Sequence, residues 1–459
     1  MSLLAIPNVT GHVDDLWRNA EELARRFEQR GATMEVVALE GASPAVIGEL
    51  RTTDPTATIG VYVHYDGQPV DPDNWDGHPF RPETRFDDSR VDLLDPVNPE
   101  WRIHARGASD DKTPFAALTA ALDGLADASI ERRIDLVFLF EGEEESGSPN
   151  LDRYMTEYAE RLRADAWLLC DGPVHQSRRP QIGFGCRGYS GFDLTFYGAD
   201  RELHSGHYGN WAPNPAQALA KFLAGCKDED GRVTIDGFYD DTRPITESDR
   251  VAIDRLPDVE RQLRMELGFE TPDSAWSYGD ALMFPTFNVR GLESADVGNQ
   301  ARNVIPTTAT ASVDIRLAAG DDPDRMVERV EAHLSRAGYT VLGHDPSPAE
   351  RRAGKVAKLT RTPGSYRAVR IPMDSPLARL LLEAAATASG EDVVALPTFG
   401  GSIPLYLFED ILEAPVACVP IANHDNNQHA PNENVRVANV WYGIDLWSVL
   451  LTTDWGSIR

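Results

Sequence analysis

The chain has 459 residues, 42% of them hydrophobic and 25% charged, a mixture that can bury the cores of two or three domains. A formal net charge of −29, with only five lysines (Lys112, Lys221, Lys227, Lys355 and Lys358), argues against nucleic-acid or anionic-membrane partners, because phosphate contacts need clustered Lys and Arg. No run of about twenty apolar residues occurs, and "MSLLAIPNVTGHVDD" lacks the basic and apolar regions of a signal peptide, so a cytoplasmic protein is expected. The four cysteines (Cys170, Cys186, Cys226 and Cys418) are far apart without CxxC spacing, so they read as buried apolar residues rather than disulfides or thiolate ligands.

In chain order, residues 14–30 carry Leu16, Ala20, Leu23, Ala24 and Phe27 at helical spacing. Two strand-like segments follow, "MEVVAL" and "TATIGVYVH", and then a turn-rich, proline-dotted stretch over 67–106 with little regular pattern. "TPFAALTAALDGLADA" predicts a helix, "RIDLVFLFE" a buried strand, "NLDRYMTEYAERLR" a helix and "DAWLLCD" another buried strand. Apolar runs alternating with helices imply an α/β sheet with helices on both faces. After Gly188 the texture changes: "GFDLTFYG" and "TATASVDIRL" alternate in the antiparallel manner, each followed by a helical span ("NPAQALAKFLAGC", "DPDRMVERVEAHLSRAG"). That pattern implies a small α+β sandwich with one sheet face covered. Buried-strand texture returns with "DVVALPTFGGS" and "APVACVPI", before a final helix in "VANVWYGIDLWSVLLTT". The expected architecture is α/β: a mixed-sheet catalytic domain in two parts, 1–187 and 395–459, interrupted by an inserted α+β domain over 188–394.

In open α/β sheets, ligands bind at the carboxyl ends of the strands. "IGVYVHYD" ends in His64 and Asp66, and "ARGASDDK" puts Asp110 just ahead of a helix. "LVFLFEGEEE" ends in Glu144 and Glu145, "WLLCD" in Asp171, and "VACVPIANHDNNQHAPNE" in a loop with His424 and His429. Carboxylates gathered this way repel one another and titrate upward unless divalent cations compensate them. Nitrogen and oxygen donors without thiolate suit zinc, manganese or cobalt better than calcium.

These segments resemble the M20 family of metallopeptidases. "YVHYDGQP" is similar to its HxDxQP segment, "ARGASDDK" to GRGxxDxKG and "EGEEESGS" to EGxEExGS. "DLTFYGADRELHSG" is similar to its lid-domain strand and HSG, and "QHAPNE" to its terminal histidine motif; all occur in the family's order from Tyr62 to Glu433. The resemblance implies a zinc-peptidase-like fold whose inserted domain serves as lid and dimerisation unit, in a homodimer. It also implies two divalent metal ions, zinc foremost with Mn2+ or Co2+ as alternatives: His64 and Asp171 on one, Glu145 and His429 on the other, Asp110 on both. Asp66 would orient His64, and Glu144 would be the general base. His204, of "LHSGHYG", would meet the developing oxyanion from the other subunit, in preference to His207. Arg316 of "VDIRL" would clamp a substrate carboxylate, with Asn303 of "NVIP" and Ser402 of "GGSIP" lining the same pocket. Glu141 and Glu143 are expected to be structural or solvated, and His104 and His424 are not expected to be ligands.

The chain departs from the dipeptidase branch of that family in carrying Thr398-Phe399 before "GGSIP", where Arg-Glu is usual, and it has Ala105 in place of a glycine. An aspartate at Asp171, together with Arg316 and the long insertion, points to the carnosinase-like dipeptidases. The expected activity is hydrolysis of dipeptides or short peptides, with N-acyl or N-carbamoyl amino acid hydrolysis as the alternative. A non-catalytic binding protein should have lost Glu144 or a ligand, and this sequence has lost none.

Overall fold

The computed structural model describes residues 1–87, 89–91 and 96–458. Its main sheet has eight strands, in the order Thr33–Val37, Ala45–Leu50, Ile134–Glu141, Ala57–His64, Ala166–Leu169, Val416–Cys418, Gln181–Gly183 and Val394–Leu396. Four neighbours run parallel: Ala57–His64 pairs with both Ile134–Glu141 and Ala166–Leu169, and Val416–Cys418 with Ala166–Leu169. The chain leaves Ala57–His64 for its neighbour on one side, then crosses to its neighbour on the other. This reversal is the topological switch point at which α/β sheets leave a crevice. His64 occupies the carboxyl end of that central strand.

The parallel strands are apolar on both faces because helices cover both. Val61, Val63, Phe138 and Phe140 face the helices Val13–Glu28, Thr113–Asp127, Pro376–Ser389 and Val437–Thr452. Tyr62, Val137 and Leu139 face Leu151–Glu157 and Phe408. Gly60 is needed where it stands, since a Cβ there would lie 2.2 Å from the Trp167 ring on the adjacent strand.

The inserted unit is a five-stranded sheet in the order Asn288–Glu293, Thr308–Leu317, Gly188–Tyr197, Lys355–Arg361 and Tyr339–Leu342, antiparallel except for the last pair. The helices Pro215–Ala224 and Pro323–Arg336 cover one face through Phe222, Met326 and Val330, while Asp193, Thr195, Thr310 and Ser312 hydrogen-bond on the other. The mixed main sheet with a separate inserted α+β sheet is as expected from sequence. The return boundary is not. Strand Val369–Arg370 pairs with Gly185–Cys186, and Ile371, Met373 and the helix Pro376–Ser389 belong to the main core, so the chain re-enters the main unit well before residue 395. An apolar helix face does not reveal in sequence which of two cores it joins. All four cysteines are buried and free, with the Cys186 and Cys418 sulfurs 3.9 Å apart.

The stretch over 67–106 also holds more order than its sequence suggests. Glu83–Phe86 and Arg102–His104 join Ser89–Arg90 and Asn434–Arg436 in a small antiparallel sheet whose strands are too short to show a period. Pairing of Asn434 with His104 lays the segment after Glu433 alongside the segment before Ala105. The loops carrying His429 and Asp110 therefore leave one sheet side by side.

Phe140 lies in a ring cluster with Phe115 at 4.8 Å, Phe27 at 5.1 Å and Phe138 at 5.4 Å. Phe140→Ala should lower the unfolding free energy by about 3–5 kcal/mol, read as a shift in urea midpoint at unchanged slope; a loss under ~1 kcal/mol would contradict this packing.

Candidate metal centre

The strand order brings the carboxyl ends of the central strands to one edge, and the loops beyond them supply the site. His64 is fully buried, with Nε2 2.9 Å from Asp110 Oδ1 and Nδ1 3.4 Å from Asp66 Oδ1. His429 Nε2 lies 3.0 Å from Asp110 Oδ2 and 3.2 Å from Glu145 Oε2. Two groups of possible ligand atoms result, His64–Asp110–Asp171 and Asp110–Glu145–His429, each with its atoms within 4.8 Å of one another and both sharing Asp110. Glu144 begins the short 3-10 turn Glu144–Ser146, next to Glu145. The peptide bond between Asp110 and Asp111 is cis.

Asp66 joins two of these loops. Its carboxylate faces His64 and accepts the backbone N–H groups of Glu144 and Glu145, each at 3.1 Å. Two amides given no role in the sequence analysis hold candidate ligand carboxylates: Gln68 Nε2 donates to Glu145 Oε2 at 2.7 Å, and Gln428 Nε2 to Asp110 Oδ2 at 2.8 Å. Both stand inside or beside the segments that carry the candidate ligands, so their position was the available signal. Glu433 was also unassigned. It is wholly buried and receives hydrogen bonds from the Asp110 loop.

Glu141 and Glu143 are structural and buried rather than solvated. Glu141 accepts from the Tyr62 hydroxyl and from Ser148 Oγ, and burial pushes its carboxyl up to about 8. Glu143 accepts from Ser43 N–H and Asn150 Nδ2. His104 and His424 belong to neither ligand group.

Charge crowding is visible throughout the cluster. Burial, followed by the negative charges of Asp171, Glu141 and Asp110, raises the Glu144 carboxyl well above its ordinary value, although His64 opposes this. Burial and the charge of Asp110 push Asp171 up to about 6. Burial alone would lower His64, but its hydrogen bonds to Asp110 and Asp66 outweigh this and hold the imidazole well above the usual range. Hydrogen bonds to Asp110 and Glu145 raise His429 to about 10. Asp171 Oδ1 is buried without a hydrogen-bond partner. An orphaned carboxylate oxygen in an all-nitrogen-and-oxygen donor set is what a divalent cation would satisfy, and the residues present fit such ions.

The four other expected site residues belong to neither ligand group. His204 caps the short helix Ser205–Tyr208, exposed, and bridges to Val304, while the Asn303 carbonyl accepts Ser205 N–H. Arg316 pairs with Tyr189 across the inserted sheet, its guanidinium 5.4 Å above the Tyr189 ring and its Nε 3.3 Å from Asp314 Oδ2. Ser402 Oγ donates to the Gly188 carbonyl at the foot of the same sheet. His204 and Asn303 thus lie together at one end of the strand Thr308–Leu317, with Arg316 and Ser402 together at the other.

A mixed sheet with clustered acid and imidazole groups at its switch point, and a spare glutamate beside them, defines a metal-dependent hydrolase. The chain belongs to peptidase family M20/M25/M40, whose family model matches residues 60–453. It is 24% identical over 466 residues to a Cys-Gly metallodipeptidase of Schizosaccharomyces pombe, covering 97% of this chain and 92% of that one. It is 25% identical over 419 residues to a human beta-Ala-His dipeptidase, covering 88% and 76%. Among solved structures, an M20 family metallo-carboxypeptidase from Sulfolobus solfataricus aligns over 98% of this chain and 97% of its own, with TM-score 0.78 and 28% identity. Membership of this metallopeptidase family implies divalent metal ions. Among the described residues, no helix is long and apolar enough to cross a membrane.

Ligands must shed their protons to bind a cation. With His429 raised to about 10 and Asp171 to about 6, metal uptake at pH 7 should release at least one proton per chain, and affinity should fall steeply below pH 6. Titration calorimetry in two buffers of different ionisation enthalpy checks this; identical apparent enthalpies would contradict it.

Proposed function

We propose that the protein hydrolyses the amide bond of dipeptides or short peptides bearing a free carboxylate. The observation that carries this reading is the pair of three-residue ligand groups sharing Asp110, with Glu144 beside them. His64 and Asp171 would hold one divalent ion, Glu145 and His429 the other, and Asp110 both, with zinc the first choice. When bound, such ions would lower the pKa of the attacking water and polarise the scissile carbonyl. Glu144 takes the proton of the attacking water and returns it to the leaving amine; its burial beside other carboxylates suits it to hold that proton between the two steps. Asp66 fixes the tautomer and orientation of His64 while anchoring the turn on which Glu144 stands.

Arg316 binds the substrate carboxylate with its planar fork, already oriented by Tyr189 and Asp314, and Ser402 lines the same end. His204 donates to the developing oxyanion from a second copy of the chain, with Asn303 beside it. The inserted sheet supports this assignment. Thr308 to Arg316 is eight residue-to-residue steps of extended strand, about 27 Å at ~3.4 Å per step, and His204 bridges beyond its far end. A dipeptide backbone is only about 7 Å long. One substrate therefore cannot reach both residues within one chain. The same tip offers a contact surface: the rings of His204, His207, Tyr208 and Trp211 follow one another at 4.6–6.3 Å, and Trp211 is 81% exposed. The edge strand Asn288–Glu293 exposes Val289 and Leu292. An exposed aromatic row and an open strand edge favour pairing with another copy.

The named dipeptidase relatives favour a dipeptide over an N-acyl or N-carbamoyl amino acid. A metal-reconstituted preparation given a free-amine dipeptide and the matching N-acetyl amino acid should cleave the dipeptide, and a chelator should stop it. Turnover of the acyl compound alone would move the substrate to the acyl-amino acid class. Mixing inactive Glu144→Ala with inactive His204→Ala protein should restore activity through hybrid dimers, up to about a quarter of that of the parent. With subunit exchange verified, no recovery would count against completion of the site by a second copy.

A further inference from the structure

Glu433 lies four residues beyond His429, and its carboxylate is surrounded by donors from one loop. Oε2 accepts from Arg106 Nη1 at 2.7 Å and from Gly107 N–H at 3.0 Å. Oε1 accepts from Ser109 N–H at 2.8 Å, Ser109 Oγ at 2.9 Å and Asp110 N–H at 3.0 Å. The Glu433 carbonyl also accepts Ala105 N–H at 3.1 Å. Glu433 is wholly buried, and the Arg106 side chain is 3% exposed with its guanidinium 5.4 Å from the Trp75 ring. Among the described residues, all five donors to the carboxylate come from residues 106–110, and the last is the backbone of Asp110, the residue shared by both candidate ligand groups.

A loop of this kind has no sheet ladder to fix it. Gly107 adopts a left-handed φ of +77°, and the backbone N–H groups that follow point inward and need an acceptor. A buried carboxylate is the strongest acceptor available, and a single one collects the whole loop. Because Glu433 belongs to the segment that carries His429, the same carboxylate also sets the spacing between His429 and Asp110. From this geometry we infer that Glu433 is a positioning residue for the metal centre: it locks the Asp110 loop to the His429 loop and so prearranges the shared ligand before any cation arrives. The inference rests on the reading of His64, Asp110, Glu145, Asp171 and His429 as a two-ion site.

Glu433→Gln keeps the shape but turns an NH2 group toward two or three donors, which breaks the arrangement without emptying it. The test is competitive titration of metal-free protein with Co2+ against a chromophoric chelator, together with the visible absorption spectrum of bound Co2+ and the melting temperature of the metal-free form. The parent should bind two Co2+ per chain. Glu433→Gln should melt, metal-free, within a few degrees of the parent, bind Co2+ about 10–100-fold more weakly and show an altered Co2+ spectrum. A folded Glu433→Gln protein with parental affinity and spectrum overturns the role of Glu433 while leaving the site intact. A parent that takes up no Co2+ overturns the two-ion reading and this inference with it. Should Glu433→Gln fail to fold, Ser109→Ala decides, because it removes one donor and leaves the rest. Severalfold weaker Co2+ binding at unchanged melting supports the inference, and unchanged binding overturns it.

Discussion

Negative charge packed into a small buried volume governs this structure. Asp66, Asp110, Glu144, Glu145 and Asp171 converge from separate loops on one sheet edge, with two imidazoles among them. Such a gathering is unfavourable unless protons, hydrogen-bond donors or cations offset it. The molecule uses donors for the groups that must stay fixed, such as Asp66 and Glu433, and leaves Asp171 Oδ1 unpartnered. Asp66 and Glu433 are held by backbone N–H groups, whereas Glu145 and Asp110 accept one side-chain amide each.

The loops around the site contain little regular structure and are tied to one another by side-chain hydrogen bonds. Asp66 reaches the Glu144 turn, Gln68 reaches Glu145, Gln428 reaches Asp110 and Glu433 gathers residues 106–110. Each crosses from one loop to another, so no loop is fixed by itself. Beneath them the parallel strands supply a common edge, and the reversal of strand order at Ala57–His64 opens the crevice where the loops meet. The core under the histidine strand, where Phe140 touches Phe27, Phe115 and Phe138, packs densely beneath that edge.

The inserted sheet supplies a ruler. Its strand Thr308–Leu317 holds Arg316 at the foot, beside the main unit, and places the His204 tip at the opposite end. Such a strand keeps the two residues apart far more strictly than a flexible linker would. A reading in which both act on one short substrate therefore requires a second copy of the chain.

Much of the centre was legible in the amino-acid sequence. Buried strands announce themselves as apolar runs, and polar residues just beyond them at a carboxyl edge stand out against that background, as His64, Glu145 and Asp171 do. The change from continuous to alternating apolar texture after Gly188 likewise separated the two sheets. The return point of the insertion was not legible, because the helix Pro376–Ser389 carries an apolar face that either core could have taken. Nor were the strands within 67–106, which are too short for a period and owe their pairing to distant partners. Glu433, Gln68 and Gln428 were present in or beside the quoted segments without assigned roles, since a hydrogen bond between residues 324 positions apart, such as Ser109 to Glu433, leaves no local pattern. Composition and periodicity thus determined which residues could reach the sheet edge. Only the tertiary fold decided which donors each carboxylate would meet, and that Asp171 Oδ1 would meet none, because that depends on loops brought together by strand order rather than by sequence neighbourhood.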